Sequence, residues 1–238
     1  MNDYLESFKQ KKDENLLSVS AYYNLLYKHK INLVENDNPK ISVIIPTHNR
    51  FEFLSELISS IFSQSYQNFE IILIDDVSSD KTSEVYGNYH DKRLKYYRNH
   101  ENLGAGLSRQ KGYNLSDGDY IIFCDDDDYF IDNGYFFDLI KIFEDETVNV
   151  ILSESYTHYE TEDKYVYFQL NLGNIIIDSI EYLKNFMIRY PKPTSLFPAA
   201  FRRKCLVKAQ FKEMAMMNDT SIYLRALMMV EKRLSISG

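Results

Sequence analysis

The segment Gly118-Asp-Tyr-Ile-Ile-Phe-Cys-Asp-Asp-Asp-Asp-Tyr-Phe130 joins a short apolar run to four consecutive carboxylates. Residues 120–124 are apolar and aromatic, which predicts a buried strand. If the chain stays extended beyond this strand, Asp125 and Asp127 point to the same face. Neighbouring carboxylates repel each other, and a hard divalent cation such as Mg²⁺ or Mn²⁺ removes that repulsion. The segment therefore predicts either a metal site or a solvated turn that caps the following helix.

Toward the N-terminus, short apolar runs alternate with amphipathic segments. Because proline has no N–H for a ladder, Pro46 is expected to end the first strand. Strands that alternate with helices indicate an α/β fold, with a mostly parallel sheet flanked by helices and ligands bound at the carboxyl ends of the strands. Polar clusters follow three strands, at 46–50, 75–76 and 125–128. The predicted strands are 41–45, 69–74 and 94–97, and the predicted helices are 51–64, about 80–89 with cap candidates at 78–82, and 106–115.

The remaining segments are less regular. Residues 1–38 are charged and then apolar at helical spacing, which predicts an N-terminal helical extension before a main α/β domain at 39–238. Such an extension is expected to pack or to form homo-oligomer contacts. Beyond residue 130 we predict a helix at 134–144, a strand at 148–153, an aromatic hairpin at 156–170, and helices at 179–189 and 219–230.

Composition narrows the class of protein. The 238 residues carry a net charge of -8 and 45% hydrophobic residues, which is typical of a globular domain and argues against nucleic-acid binding through a basic surface. No apolar run is long enough to span a bilayer, and the first residues lack the pattern of a secretory signal. With two cysteines, Cys124 and Cys205, the sequence predicts a cytoplasmic protein without a disulfide framework.

Five sequence motifs follow one another along the chain, namely Val43–Arg50, Gln64–Tyr66, Phe69–Asp80, Asn102–Gly104 with Arg109, and Gly118–Asp128. Each motif alone is weak, but their order and spacing run unbroken from about residue 41 to about residue 130. Together they resemble the catalytic domain of glycosyltransferase family 2, which has the GT-A (Rossmann-like) fold. A fainter match continues at Phe201–Arg203 and at Asn218–Asp219.

The resemblance implies a reaction and its partners. Family members transfer a sugar from a nucleoside diphosphate sugar to an acceptor hydroxyl and invert the anomeric centre, and UDP is the nucleotide that family habit favours. A glycan or lipid-linked acceptor in bacterial surface polysaccharide synthesis is implied, with peripheral association at the inner face of the membrane. The residues implied to bind the nucleotide sugar are Pro46, Thr47, Asn49, Arg50, Asp76, Asn102, Arg109, Asp125 and Asp126.

The resemblance also assigns the metal and the base. Asp127, with Asp125, would coordinate Mn²⁺ or Mg²⁺ at the diphosphate, and Asp219 would be the general base that accepts the proton of the acceptor hydroxyl. The chain departs from the family pattern at Asn218, where glutamate is usual, and at Val77, where a small residue is usual. Asp219 also fits the N-terminus of a helix.

Two other classes remain open on the sequence alone. A Mg²⁺-dependent phosphatase or nucleotidyltransferase would use a similar acidic cluster, although the threonine after the second aspartate and the glycine-rich signature expected of them are missing. A degenerate domain that binds a nucleotide or glycan without turnover is the non-enzyme alternative. A calcium-binding loop is excluded because 125–136 lacks the central glycine and terminal glutamate of an EF-hand.

Overall fold

The computed structural model describes residues 38–162, 164–168, 175–190, 197–211, 219–228 and 234–237. The N-terminal helical extension predicted at 1–38 lies outside the described residues except for Asn38, so it stays a prediction. The domain predicted at 39–238 contains all the helices and strands given below. Within the described ranges, no helix is long and apolar enough to cross a membrane.

The first part of the domain follows the predicted alternation of strands and helices. Three of its four strands are apolar and fully buried, and the first helix shows one apolar face. The elements are β1 (Ile41–Thr47), α1 (Phe51–Phe62), β2 (Phe69–Asp75), α2 (Thr82–Tyr86), β3 (Leu94–Arg98), α3 (Gly104–Leu115) and β4 (Tyr120–Phe123).

The second part contains shorter elements. The elements are α4 (Tyr135–Phe143), β5 (Val150–Ser153), β6 (Ser155–Tyr159), β7 (Lys164–Phe168), β8 (Ile175–Ile177), α5 (Ser179–Lys184), β9 (Ala200–Arg202), α6 (Arg203–Lys208), α7 (Asp219–Met228) and β10 (Leu234–Ser237). Six of them agree with predicted positions, namely α4, β5, both strands of the hairpin β6–β7, α5 and α7, whereas β8, β9, α6 and β10 were not predicted.

Eight of the described strands form one mixed sheet in the order β3-β2-β1-β4-β9-β5-β10-β8. Strands β3, β2, β1 and β4 are parallel neighbours, and β9 lies antiparallel between β4 and β5. Because β9 is antiparallel to both of its neighbours, β5 runs parallel to β4, and the two strands end at the same edge of the sheet. The predicted α/β class with a mostly parallel sheet is therefore confirmed.

Strand β1 runs through Pro46 to Thr47, so the prediction that Pro46 ends it was wrong. The carbonyl of Ile44 accepts from Cys124 on the β4 side, whereas the carbonyl of Thr47 accepts from Asp76 on the β2 side. Alternation along the strand turns the nitrogen of Pro46 toward β4. Pairing with β4 ends at Ile44. Pro46 therefore needs no N–H group for a hydrogen bond to β4, and β1 continues its parallel pairing with β2 as far as Thr47.

The sheet separates two apolar layers. Along β1, Val43 and Ile45 belong to the layer covered by α1 and α4, whereas Ile44 belongs to the layer under α3, α5, α6 and α7. Helix α3 lies very close to the sheet, because a Cβ added at Gly112 would be 2.4 Å from Ile44 Cγ2. Burial of both faces explains why these strands are continuous apolar runs.

Candidate active site

The polar loops that follow β1, β2, β3 and β4 meet at one edge of the sheet. Parallel strands bring their carboxyl ends together, as predicted. The loops after β1 and β2 are joined by Asp76 N–H, which donates to Thr47 O at 2.8 Å, and Asn99 N–H donates to Asp75 O at 2.8 Å. The backbone therefore places the predicted clusters side by side before any side chain contributes.

Asp76 is buried and binds the start of α3. Its carboxylate accepts from Leu103 N–H at 2.9 Å, Gly104 N–H at 2.7 Å and Asn99 Nδ2 at 2.7 Å. Burial alone would raise the pKa of Asp76, but these three donors together lower it below its ordinary value. Asp76 is therefore held as a carboxylate at the N-terminus of α3, where the helix dipole favours negative charge.

Asp75 is also buried, and it points toward the loop after β2 and toward β3. Its carboxylate accepts from Ser78 N–H at 2.7 Å, Tyr96 Oη at 2.5 Å and Arg98 Nη1 at 2.6 Å. Val77 follows Asp76 in this loop, and its φ of +67° lies in the left-handed region. A β-branched side chain is strained there, which explains why a small residue is usual at this position in the family pattern.

The loop after β1 is held by side-chain contacts to the loop after β2. His48 Nδ1 lies 2.7 Å from Asp76 O, and His48 Nε2 lies 3.0 Å from Asn49 Nδ2. A neutral imidazole that carries its proton on Nδ1 satisfies both contacts. Asn49 has a φ of +56°, and its Oδ1 accepts from Ser79 N–H at 2.6 Å. His48 and Asn49 therefore shape the loop.

The acidic segment forms a turn at 126–127, so the condition of an extended chain, under which Asp125 and Asp127 would point to one face, is not met. Asp128 N–H donates to Asp125 O at 3.2 Å and its carboxylate accepts from Asp125 N–H at 3.1 Å. Each of the other carboxylates has its own partner. Asp125 is bound by Arg109, Asp126 by Thr47 and Asp127 by Arg50. The sequence suggested that a metal ion would offset the repulsion between these carboxylates. Arg109 and Arg50 supply part of that positive charge.

Asp126 differs from its neighbours because it is buried. Thr47 Oγ1 donates to its carboxylate at 2.8 Å, and Arg50 Nη1 lies 3.7 Å from its other oxygen. Burial raises the pKa of Asp126, and the hydrogen bond from Thr47 and the charge of Arg50 only partly oppose this effect. Asp126 therefore joins the loops after β1 and β4 and is turned away from solvent.

Asp125 and Asp127 remain accessible, with side chains 37% and 47% exposed. Within the described ranges, no group of three or more histidine, cysteine, aspartate or glutamate side chains forms a metal site. Two accessible carboxylates fit a hard divalent ion only if other oxygen ligands complete its coordination. The donor set therefore suits a metal that arrives together with a diphosphate.

The other predicted residues fall into three groups. Asn102 Oδ1 accepts from Gly104 N–H at 3.2 Å and shapes the turn before α3. Arg109 is buried on α3 and directed at Asp125. Asp219 is the first residue of α7, and its side chain lies outside the described part of the chain, as does all of Asn218.

Arg202 and Arg203, which belong to the fainter family match, both donate to backbone carbonyls. Arg202 donates to the carbonyls of Val148 and Phe143 at 3.0 and 2.7 Å. Arg203 donates to Gly118 O and to Ser116 Oγ, next to the amino end of β4. Both arginines therefore close backbone loops at the end of β4 opposite the acidic segment.

Sequence reasoning missed Asn99, which follows β3. Its Nδ2 donates to Asp76 at 2.7 Å and to Ser108 Oγ at 3.0 Å, while its Oδ1 accepts from Lys111 Nζ at 2.7 Å. The signal was present, because Asn99 is the first residue after a strand whose carboxyl end reaches the same edge. The pairing of β3 with β2 makes it part of the site.

The sequence profile of glycosyl transferase family 2 matches residues 42–210. This chain belongs to glycosyltransferase family 2. The match includes β1 to β4 and the loops that form the edge described above, and it ends before α7. Over 93 residues the chain is 41% identical to a GalNAc(5)-diNAcBac-PP-undecaprenol beta-1,3-glucosyltransferase of Campylobacter jejuni, a match that covers 38% of this chain and 30% of that relative. The chain likewise spans less than half of the length of the other curated relatives that it matches.

Solved structures of other glycosyltransferases share the GT-A fold of this family 2 domain. TarS of Staphylococcus aureus, in complex with UDP-GlcNAc, has a TM-score of 0.64 at 20% identity over 83% of this chain and 55% of that chain. The mannosyltransferase PcManGT of Pyrobaculum calidifontis, in complex with GDP-Man and Mn²⁺, has a TM-score of 0.56 at 15% identity over 92% of this chain and 63% of that chain. At these identities the comparison shows the fold.

Proposed function

We propose that residues 39–238 form the catalytic domain of an inverting glycosyltransferase that uses a nucleoside diphosphate sugar, with UDP as the nucleotide. The observation that carries the proposal is the meeting of two sets of side chains at one sheet edge. Asp76 is held at the start of α3 beside the loop after β1, and the accessible carboxylates Asp125 and Asp127 lie at the end of β4. One set suits a nucleoside and the other suits a metal-bound diphosphate.

In this proposal the loops after β1 and β2 bind the nucleoside. Asp76 carries a fixed negative charge and accepts hydrogen bonds, so it can accept from an N–H of a base or an O–H of a ribose. Pro46 and Thr47 provide the wall of β1 next to it, with Asn49 and Asn102 holding the loops on either side. The family resemblance supports the same assignment.

Asp127, with Asp125, would hold Mn²⁺ or Mg²⁺ together with the diphosphate. A bound divalent ion neutralises charge that develops on the departing nucleoside diphosphate. Arg50 and Arg109 are close enough to these carboxylates to contact diphosphate oxygens as well. Asp126, which is buried against Thr47, would position the turn that presents its neighbours.

Asp219 is proposed as the general base because it opens α7, whose buried residues Ile222 and Tyr223 pack into the layer that also covers β5. A carboxylate at that position would accept the proton of the acceptor hydroxyl as the sugar is transferred. We propose a glycan or lipid-linked glycan as acceptor, since the Campylobacter relative acts, by its name, on a polyprenol-linked glycan. Cytoplasmic action at the inner membrane face is part of the same proposal.

The proposal is tested by thermal shift and calorimetry with UDP, GDP, CDP and their common sugars, each with Mn²⁺ and with EDTA. We expect one nucleotide to stabilise the protein only when the metal is present. Asp127→Ala should abolish this metal-dependent binding. Asp219→Asn should bind the donor as the wild type does but transfer at least about 100-fold more slowly. Equal donor binding by Asp127→Ala in Mn²⁺ would overturn the metal assignment, and full transfer by Asp219→Asn would overturn the base.

A further inference from the structure

An aromatic hairpin extends from the same sheet edge as the acidic segment. Strand β5 ends at Ser153, and after Glu154 the chain continues directly into β6 and then β7. Because β5 is parallel to β4, its carboxyl end lies at the edge where the candidate active site is formed. The hairpin pairs only with itself in the described part of the chain and forms a separate two-stranded sheet.

One face of this hairpin is a row of aromatic rings, which we call the aromatic ladder and define as Tyr156, His158, Tyr165 and Tyr167. The register pairs Tyr156 with Tyr167 and His158 with Tyr165, so alternation places all four rings on one face. The first pair stacks with ring centroids 4.6 Å apart and the second at 4.2 Å. The ladder is therefore an ordered arrangement of rings on one surface.

The rings of the ladder are exposed to solvent. Tyr156, Tyr165 and Tyr167 are 41, 40 and 43% exposed, although stacking covers one face of each ring. Tyrosine offers a rigid apolar ring at low entropic cost together with a polar hydroxyl, which is why it is enriched in binding surfaces. An exposed row of stacked tyrosines is thus suited to a ligand that is both apolar and polar.

The ladder is connected to the acidic segment through Tyr129. This tyrosine follows Asp128 directly, is itself 40% exposed, and lies close to Tyr165. The exposed rings therefore continue from the end of the acidic segment onto the hairpin. A ligand lying along the ladder would have one end beside the residues assigned to the donor.

We propose that the aromatic ladder binds the sugar rings of the acceptor glycan. A pyranose ring has apolar C–H faces and a rim of hydroxyls, so it can stack on tyrosine rings while its hydroxyls bond polar side chains. Successive ladder positions lie about 7 Å apart along each strand, which suits a chain of sugar rings better than a single sugar. This inference rests on the proposed function, because only a sugar transfer brings a glycan to this edge.

Saturation-transfer NMR with four tetrasaccharides, namely chitotetraose, cellotetraose, laminaritetraose and maltotetraose, tests the proposal on the full chain. We expect at least one to bind the wild type, with the strongest transfer to its C–H protons. Tyr167→Ala and Tyr156→Ala should each weaken that binding about tenfold, because each removes one ring from the row. Tyr167→Phe should bind nearly as the wild type does, since it keeps the ring.

Tyr159→Ala is the matched control. Tyr159 is a 50% exposed tyrosine on the same hairpin, but its pairing with Lys164 places it on the opposite face. It should leave tetrasaccharide binding unchanged. Equal losses in Tyr159→Ala and Tyr167→Ala, or no binding of any tetrasaccharide to the wild type, would overturn the proposal.

Two further measurements test whether the aromatic ladder binds something other than a glycan, and whether a negative result concerns the ladder or the proposed donor site. Ladder-dependent binding to vesicles of anionic phospholipid, or ladder-dependent dimerisation in sedimentation, would overturn the glycan assignment. UDP binding with Mn²⁺ is measured on the same samples. Intact UDP binding without glycan binding would overturn this inference alone, whereas glycan binding without UDP binding would overturn the proposed donor site and leave the ladder as a glycan-binding surface.

Discussion

Arg50 holds its guanidinium against two carboxylates of the acidic segment. It is bonded to Asp127 and lies 3.7 Å from an oxygen of Asp126. Two cations cannot share these oxygens without repulsion. We expect Arg50→Gln to raise the affinity of the nucleotide-free protein for Mn²⁺ about five- to tenfold, measured by electron paramagnetic resonance of free Mn²⁺.

Arg93→Gln serves as the control for this charge change. Arg93 pairs with Asp91 in the loop before β3, at the end of the sheet opposite the acidic segment. Mn²⁺ affinity should be the same as in the wild type. If Arg50→Gln binds Mn²⁺ no more tightly than Arg93→Gln, then Arg50 does not occupy the metal position.

Val77 stores backbone strain at the site. Its φ of +67° costs a β-branched residue about 1–2 kcal/mol relative to an ordinary conformation. Asparagine tolerates this region, so we expect Val77→Asn to raise the free energy of unfolding by about 1 kcal/mol in urea titrations. Val85→Asn, in the short helix α2, should bring no such gain. Equal stability of Val77→Asn and the wild type would show that the surrounding contacts offset the strain.

At the level of elements, Glu70 on β2 joins four segments at the amino end of the sheet. Its carboxylate accepts from Ser42 Oγ on β1 at 2.6 Å, from Lys95 Nζ on β3 at 2.6 Å and from the N–H of Asp117 before β4 at 2.8 Å. Burial alone would raise the pKa of Glu70, but these donors lower it from 4.5 to about 2. The charged form is therefore the stabilising one.

A depressed pKa gives Glu70 a defined pH dependence. The stabilisation that the Glu70 carboxylate adds to the free energy of unfolding is fully present above about pH 4.5 and is lost as the pH falls toward about 2. We expect Glu70→Gln to lower the free energy of unfolding by about 3 kcal/mol near neutral pH, and the difference from wild type to shrink in acid, as measured by urea unfolding across pH. Glu144→Gln, in an exposed pair with Lys141, should change stability little. A pH-independent difference would contradict this account of Glu70.

Sequence patterns predicted the first half of the fold well because three of its four strands are buried apolar runs that alternate with helices. They failed where pairing decides the structure. Ala200–Arg202 and Leu234–Ser237 become strands only through partners distant in sequence. Helix α2 is also shorter than predicted, since it ends at Tyr86, just before Gly87. Asp80, one of the expected cap residues, accepts from the N–H groups of both Phe51 and Thr82.

The same distinction applies to the candidate site. The residue types at the strand ends could be recognised from motifs, and the structure does bring Thr47, Asp76 and the acidic segment to one edge. Their partners could not be predicted, because the turn at 126–127 and the arginine pairs depend on loops from different strands. Asp219 remains a prediction.

For the whole molecule, the boundary near residue 38 is a prediction that can be tested. All the described elements lie within 39–238. We expect a protein of residues 39–238 to unfold cooperatively, with a midpoint within a few degrees of the full chain, and to bind UDP with the same affinity. If residues 1–38 mediate oligomer contacts, analytical ultracentrifugation should show a smaller species for 39–238. Loss of cooperative unfolding would show that 1–38 belongs to the domain.

The position of β10 in the sheet affects how this chain is made. Residues 234–237 lie between β5 and β8, which precede them by more than fifty residues. During synthesis β3, β2, β1 and β4 can pair as soon as residue 123 has left the ribosome, whereas β5 and β8 must wait with unpaired edges. Chaperone binding to nascent chains should therefore concentrate on intermediates in which the first half of the sheet is folded and the second half is open.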